Sequence, residues 1–327
     1  MLDIAMAEAE RPRMGNVLEW IGGRARWVLA AGVLAAFFMP GLSSALRPYL
    51  SILVGFVFCA AMARIDLLGL ASRLRDPRHL AALMLWSLAM MAITPCLLWL
   101  LGRLIGLPEA YTAALVYSAL APPITSSAAL CLIIGLNAAF ALELTVVASL
   151  LTPVIGPVVG TLLLGEAVPI DGLSLGLRVG GMVVGGALGA ITLRAWMGGE
   201  RIERHGGKFD GISAIVMWLV VAAVLDGAGS RILADPALAL GVFALAVAAN
   251  FGAQAAIAIG LQRASSPVAG AAGLMWGNRT VALYLAALPF EPVFALYVAF
   301  FQVPMLFTPL LMGRFLVRCE VRQPAHA

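Results

Sequence analysis

Most polar side chains here that could do chemistry are embedded in long apolar runs, and they gather around two interruptions. The first is Ala121-Pro122-Pro123-Ile124-Thr125-Ser126-Ser127 and the second is Gly277-Asn278-Arg279. Pro123 keeps Pro122 from a comfortable helical conformation, and neither proline has an N–H to donate, so carbonyls one turn earlier lose their partners. Thr125, Ser126 and Ser127 then open a new helical half, whose exposed N–H groups and dipole favour an anionic group. At the second interruption Asn278 supplies donors and an acceptor, and Arg279 a full positive charge. Gly273 reads as a further fault in the same apolar run.

A charge at the centre of a membrane span costs about 3 kcal/mol on insertion scales and needs a partner or water. For Arg279 the sequence leaves two solutions open: an ion pair, with Glu143 as the possible charge partner, or carbonyls and solvent from the irregular backbone beside it. Glu143 also lies close enough to the end of its span to snorkel. Arg178, near Asp171, reads as a snorkelling boundary residue. Gln302 lies beside Pro304, and Asn250 and Gln254 sit four apart on one helical face. Alone, each of these is more often a helix–helix hydrogen bond than a ligand. Convergence at two breaks sets Thr125 and Asn278 apart.

The elements that must position these residues follow from composition. Of 327 residues 62% are apolar and 12% charged, against about 25% charged in a soluble domain. A span needs about 20 apolar residues, so the length admits around ten. The apolar segments read as 27–40, 48–63, 79–101, 110–134, 138–164, 173–196, 212–225, 237–260, 267–288 and 292–316. The expected class is therefore an all-α integral membrane protein. Residues 1–26 form an N-terminal segment with an interfacial turn at Val17, Leu18, Trp20 and Ile21. A single membrane domain over 27–316 follows, with a tail at 317–327. Arg24 and Arg26 before the apolar run Trp27–Met39, with Ser43-Ser44-Ala45 after it, also permit a signal-peptide reading, but 26 residues are long for its basic leader.

Orientation comes from the loop charges. With the N-terminus inside, cytoplasmic segments hold sixteen basic residues, among them Arg64, Arg73, Arg194, Lys208, Arg263 and Arg314. The outer loops hold three: Arg47, Arg103 and Arg231. Both termini are thus expected inside, in a bacterial inner membrane. The two breaks lie about 155 residues apart, and five spans per half would make the second half (173–316) an inverted copy of the first (27–164). Inverted repeats with a discontinuous helix each point to a transport site at the midplane.

The first break, continuing through Asn137 to Thr145 and Thr152-Pro153, resembles the fourth and fifth helices of the bile acid:sodium symporter family, and Gly277-Asn278 with the run after it resembles the ninth. The resemblance spans about residues 20–317. It implies a ten-helix fold of panel and core domains, two crossed discontinuous helices, and secondary active transport of small organic anions by alternating access. It makes Thr125, Asn278 and Gln302 substrate-facing, with Arg279 beside them. Ser127 and Thr145 retain oxygen at two sodium-ligand positions. Ala128, Ala141, Gly273, Gly277 and Met90 stand where the family carries further ligand side chains, which puts sodium coupling in doubt. Arg279 would then supply the charge that sodium supplies elsewhere.

Two other readings compete. An arsenite-permease-like metalloid exporter would carry a cysteine where Pro123 stands. A non-transporting membrane sensor or intramembrane enzyme would need motifs that are missing: no HExxH, paired aspartates or Ser/His dyad is present. Cys59, Cys96, Cys131 and Cys319 are scattered, without the spacing of a metal or disulfide framework. No enzymatic activity, metal, cofactor or nucleic-acid partner is expected, only a small organic anion and the bilayer.

Overall fold

The computed structural model describes residues 17–24, 28, 39–65, 67–165 and 171–320. The expected apolar segment 27–40 lies almost wholly outside these, as do most of the N-terminal segment and of the tail. The described chain is helical, with one isolated bridge and no named strand. In order the helices are α1 (Val17–Gly23), α2 (Pro40–Leu46), α3 (Leu50–Ala63), α4 (Leu67–Arg73), α5 (Pro77–Leu88), α6 (Thr94–Leu104), α7 (Glu109–Leu120), α8 (Ser127–Ile134) and α9 (Ala138–Leu164). There follow α10 (Gly172–Met197), α11 (Gly199–Arg204), α12 (Gly206–Val224), α13 (Ala228–Ala234), α14 (Pro236–Arg263), α15 (Ala269–Gly277), α16 (Ala282–Ala287), α17 (Pro292–Leu311) and α18 (Gly313–Cys319).

Among the described residues seven stretches are long and apolar enough to cross a bilayer: Gly41–Ala63, Pro77–Leu104, Ala138–Leu164, Gly172–Met197, Gly206–Val224, Pro236–Arg263 and Pro292–Leu311. The chain is therefore a multi-pass, all-α membrane protein. Several starts are written into the sequence as an acid followed by proline. Asp76, Asp235 and Glu291 each accept backbone N–H groups of the helix they open, and Pro77, Pro236 and Pro292 occupy the first helical position, where a missing N–H costs nothing. Between α5 and α6 the helix widens into a π turn, Ala89–Ile93. The expected N-terminal turn is α1, lying along α12 with the backbone of Leu18 close against Gly211.

Segments 110–134 and 267–288 are each two short helices, α7 and α8, and α15 and α16, separated by non-helical backbone. The break at 278–281 is as expected, but Gly273 lies inside the unbroken α15. Its reason is packing: a Cβ there would come within 2.8 Å of the Gln254 carbonyl and 2.9 Å of the Ala258 side chain.

α3 lies along α10 and α12, and α14 packs on α15 and α17; α9 packs on α5 and α8 and also along α10, so one continuous apolar core runs through α3, α9, α10, α12, α14 and α17. Close approaches need glycine at two points. A Cβ on Gly277 would collide with Gln254 and the carbonyl of Asn250, and one on Gly156 with the hydroxyl of Tyr284. Overpacking a filled interior costs about 1–3 kcal/mol. Gly156→Ala and Gly277→Ala should therefore each lower stability by about 2 kcal/mol, read as thermal unfolding of the purified protein. Gly181→Ala, whose Cβ meets nothing within 4 Å, should not lower it, since alanine favours a helix over glycine.

Candidate functional site

Each break releases backbone groups that a helix would have satisfied, and in a bilayer these must find partners inside the protein. The two breaks do this for one another. They meet in an antiparallel bridge between Pro123 and Arg279. Ile124 donates its N–H to the Asn278 carbonyl at 3.1 Å, and Thr280 donates its N–H to the Pro122 carbonyl at 2.8 Å. The Thr280 hydroxyl donates to the Pro123 carbonyl at 3.1 Å, and Ser127 N–H to Ile124 at 2.9 Å. Tyr284 reaches the Leu120 carbonyl at 3.5 Å.

Arg279 takes up three further carbonyls. The residue is 3% exposed, and its guanidinium donates to the carbonyls of Trp276 at 2.9 Å, Ala121 at 2.9 Å and Met90 at 3.4 Å. A local irregularity frees each acceptor. The N–H one helical turn beyond Trp276 belongs to Thr280, which has gone to Pro122. Ala121 faces the proline break. Met90 lies in the π turn, where Thr94 N–H bonds Ala89 instead, and the next candidate donor, Pro95, has no N–H. Arg279 also lies near the face of the Trp276 ring, 5.8 Å from its centroid. The Trp276 indole N–H in turn donates to the Thr94 hydroxyl at 2.9 Å, tying the π turn to the crossing.

Of the two solutions open for Arg279, the structure uses carbonyls, and the pairing with Glu143 does not form. Glu143 is buried in the second turn of α9, where His79 Nε2 meets one carboxylate oxygen at 2.8 Å and Arg73 the other at 3.4 Å. In the sequence Arg73 and His79 read as loop and span-edge residues, whereas the first turn of α5 runs beside α9. Among the described residues Arg279 has no acidic partner. Arg178 does not simply snorkel either: it donates to the Ala287 carbonyl at 3.1 Å.

Behind the bridge lies a buried polar network. Asn278 is fully buried, donates to the Leu274 carbonyl at 3.1 Å and accepts from Asn250 at 3.3 Å and Thr308 at 3.2 Å. Asn250 also donates to the Gly277 carbonyl at 2.7 Å. Gln254 donates to Asn250 at 2.7 Å and Thr308 at 3.0 Å, leaving its Oε1 without a protein partner. Thr308 escaped the sequence reading, and nothing in its run flags it. Asn250 and Gln254 were visible as a helical pair, and hydrogen bonding between helices is what they do.

The remaining candidates lie differently. Thr125 is half-buried and Ser126 exposed, beside the bridge; the Ser127 hydroxyl is buried without a protein partner. Thr145 bonds its own helix through the Ala141 carbonyl at 2.7 Å. Gln302 donates to Val298 at 3.4 Å, outside the network. Thr125 is thus accessible where Asn278 and Arg279 are enclosed. No protein-family model matches this chain, and no curated protein matches it.

The site yields a stability test. Arg279→Met leaves three enclosed carbonyls without donors, at about 1 kcal/mol or more each. It should lower stability by about 3 kcal/mol and speed amide exchange at 121–127 and 278–281. Glu143→Gln should leave exchange in those two stretches unchanged.

Proposed function

We propose that the protein is a secondary active transporter of small organic anions, built like the bile acid:sodium symporters as ten spans in two inverted five-span halves. The observation that carries this reading is the bridge between the two broken helices with Arg279, a cation lacking any described acidic partner, enclosed behind it. Irregular backbone at membrane depth is tolerated where it is buried in protein or lines a cavity, and half-helix ends meeting at the midplane are the usual carriers of a transport site. The spacing of the halves supports it: α5 and α14 both open with Asp-Pro, at Asp76 and Asp235, and the breaks follow at similar distances. On this reading the seven long stretches, the two broken segments and segment 27–40 make up the ten.

Within that frame the residues divide their work. Thr125, beside the exposed Ser126, meets the substrate's anionic group, with the start of α8 favouring negative charge. Gln302 adds a polar contact from α17. Asn278 and Arg279 act from behind, holding the bridge and supplying positive potential. Arg279 stands in for a coupling cation. Ser127 and Thr145 are too few oxygens for a sodium ion, which takes several, and packing against Gln254, Asn250 and Ala258 leaves no room for ligand side chains at 273 or 277.

The test is uptake of small carboxylates into proteoliposomes with sodium varied from zero to saturating, choline replacing it. Uptake that depends on substrate but changes less than about twofold with sodium is expected, since a ligand that binds no state shifts nothing. A steep, saturable sodium requirement would overturn the role given to Arg279. No uptake of any carboxylate would overturn the transport reading.

A further inference from the structure

Helices α3 and α10 run side by side in the same direction, with Ser51 and Arg178 together at one end and Cys59 against Gly189 at the other. Their backbones come close at two glycines. A Cβ on Gly186 would lie 2.8 Å from the Gly55 carbonyl, and Gly55 itself faces the Met182 backbone. Beside this contact the helices part into an open groove of about 500 Å³, lined among the described residues by these two helices alone. Gly181 and Gly185 line it without filling it, since a Cβ on either would meet nothing within 4 Å. Ile52, Phe56 and Leu177, all exposed, add an apolar lining.

On a multi-pass membrane protein such a surface faces hydrocarbon, and hydrocarbon must fill it, because a void forfeits the contacts of the atoms around it. The dimensions choose the occupant. From Arg178 to Gly189 the groove runs eleven residues along α10, about 16 Å at 1.5 Å per residue. That is the depth of one leaflet of a core about 30 Å thick. Spread over this length, the volume gives a mean cross-section of about 30 Å². A helix of a second copy, about 10 Å across, has a cross-section of about 80 Å² and would rest on the rim without entering. A single acyl chain is slender enough to lie along the bottom.

One end of the groove is charged. Arg178 donates one N–H to the Ala287 carbonyl at 3.1 Å, which fixes its guanidinium there, and its other donors meet no acceptor among the described residues. Asp171, two turns earlier on α10, is engaged by the Ser174 hydroxyl at 2.6 Å. No acid pairs with Arg178 among the described residues. A guanidinium fork matches phosphate oxygens, and the aliphatic stem lets it reach headgroup level from within a span.

We propose that the groove between α3 and α10 is a binding site for one anionic phospholipid, with an acyl chain lying over Gly181 and Gly185 and the phosphate held by Arg178. The site is independent of the transport reading. Phosphatidylcholine offers the same phosphate but carries a cation beside it, so the guanidinium favours phosphatidylglycerol.

The test is native mass spectrometry of the full chain, delipidated in detergent and then given phosphatidylglycerol or phosphatidylcholine with matched oleoyl chains. Wild type should retain a first phosphatidylglycerol about fivefold more often than a first phosphatidylcholine. Gly185→Leu, which fills the groove, should cut retention of both by about fivefold or more, and Gly181→Leu should act alike. Thermal unfolding matching wild type shows that these variants are folded. Arg178→Gln should equalise the two lipids, whereas Arg178→Lys should keep part of the preference because the charge remains. Retention unchanged in folded Gly185→Leu and Gly181→Leu, or a preference unchanged in Arg178→Gln, overturns the site. So does a wild-type dimer that Gly185→Leu dissolves, which would make a second copy the occupant.

Discussion

Inside a bilayer a peptide carbonyl has nowhere to turn but to the protein, and each one left alone costs several kcal/mol. The crossing of the two interrupted segments is organised around that requirement. Strand-like pairing satisfies Pro122, Ile124 and Asn278; hydroxyls serve Leu120 and Pro123; Asn250 serves Gly277. Three further carbonyls, of Trp276, Ala121 and Met90, are served by one guanidinium with its fixed fork of donors. An ammonium would reach fewer, because its donors are not splayed in a plane. The charge that makes this possible is then confined at the centre of the molecule, and it is the origin of whatever electrostatic preference the site has.

That arrangement explains why the polar network lies on the far side of the bridge. Asn278 must keep its backbone for Ile124 and its side chain for Asn250 and Thr308. Gly277 must approach α14 closely enough for Asn250 to reach its carbonyl, which rules out any side chain there. The same contact that closes the breaks thus removes space that a ligand side chain would use. Backbone satisfaction and ion chemistry compete for one volume, and here backbone satisfaction holds it.

Much of this was legible in the sequence, and the limits have physical causes. Pro122-Pro123 and Gly277-Asn278 announced their breaks because proline and glycine act through local geometry. The isolated charge of Arg279 announced itself because apolar surroundings make it costly. Its partners did not, since a sequence has no symbol for a free backbone carbonyl and Ala-Met-Met-Ala-Ile looks like any apolar turn. Glu143 was visible, but its partners lie about 65–70 residues upstream, and only tertiary packing brings them together. Gly273 was misread for the opposite reason: glycine marks close approach as readily as it marks a break.

The π turn at Ala89–Ile93 carries a consequence of its own. Such a turn amounts to one residue more than a regular helix would hold over the same rise. The surplus rotates everything after it by about 100°, the angular step of a helix with 3.6 residues per turn. The face that α5 shows to its neighbours is therefore not the face that α6 continues. A chain that had shed one residue here would still be apolar, still be long enough to span, and still look unremarkable in alignment. It would nonetheless turn the Thr94 hydroxyl away from Trp276 and reclaim the Met90 carbonyl for the helix. In this span the length in residues, more than their identity, is what the crossing depends on.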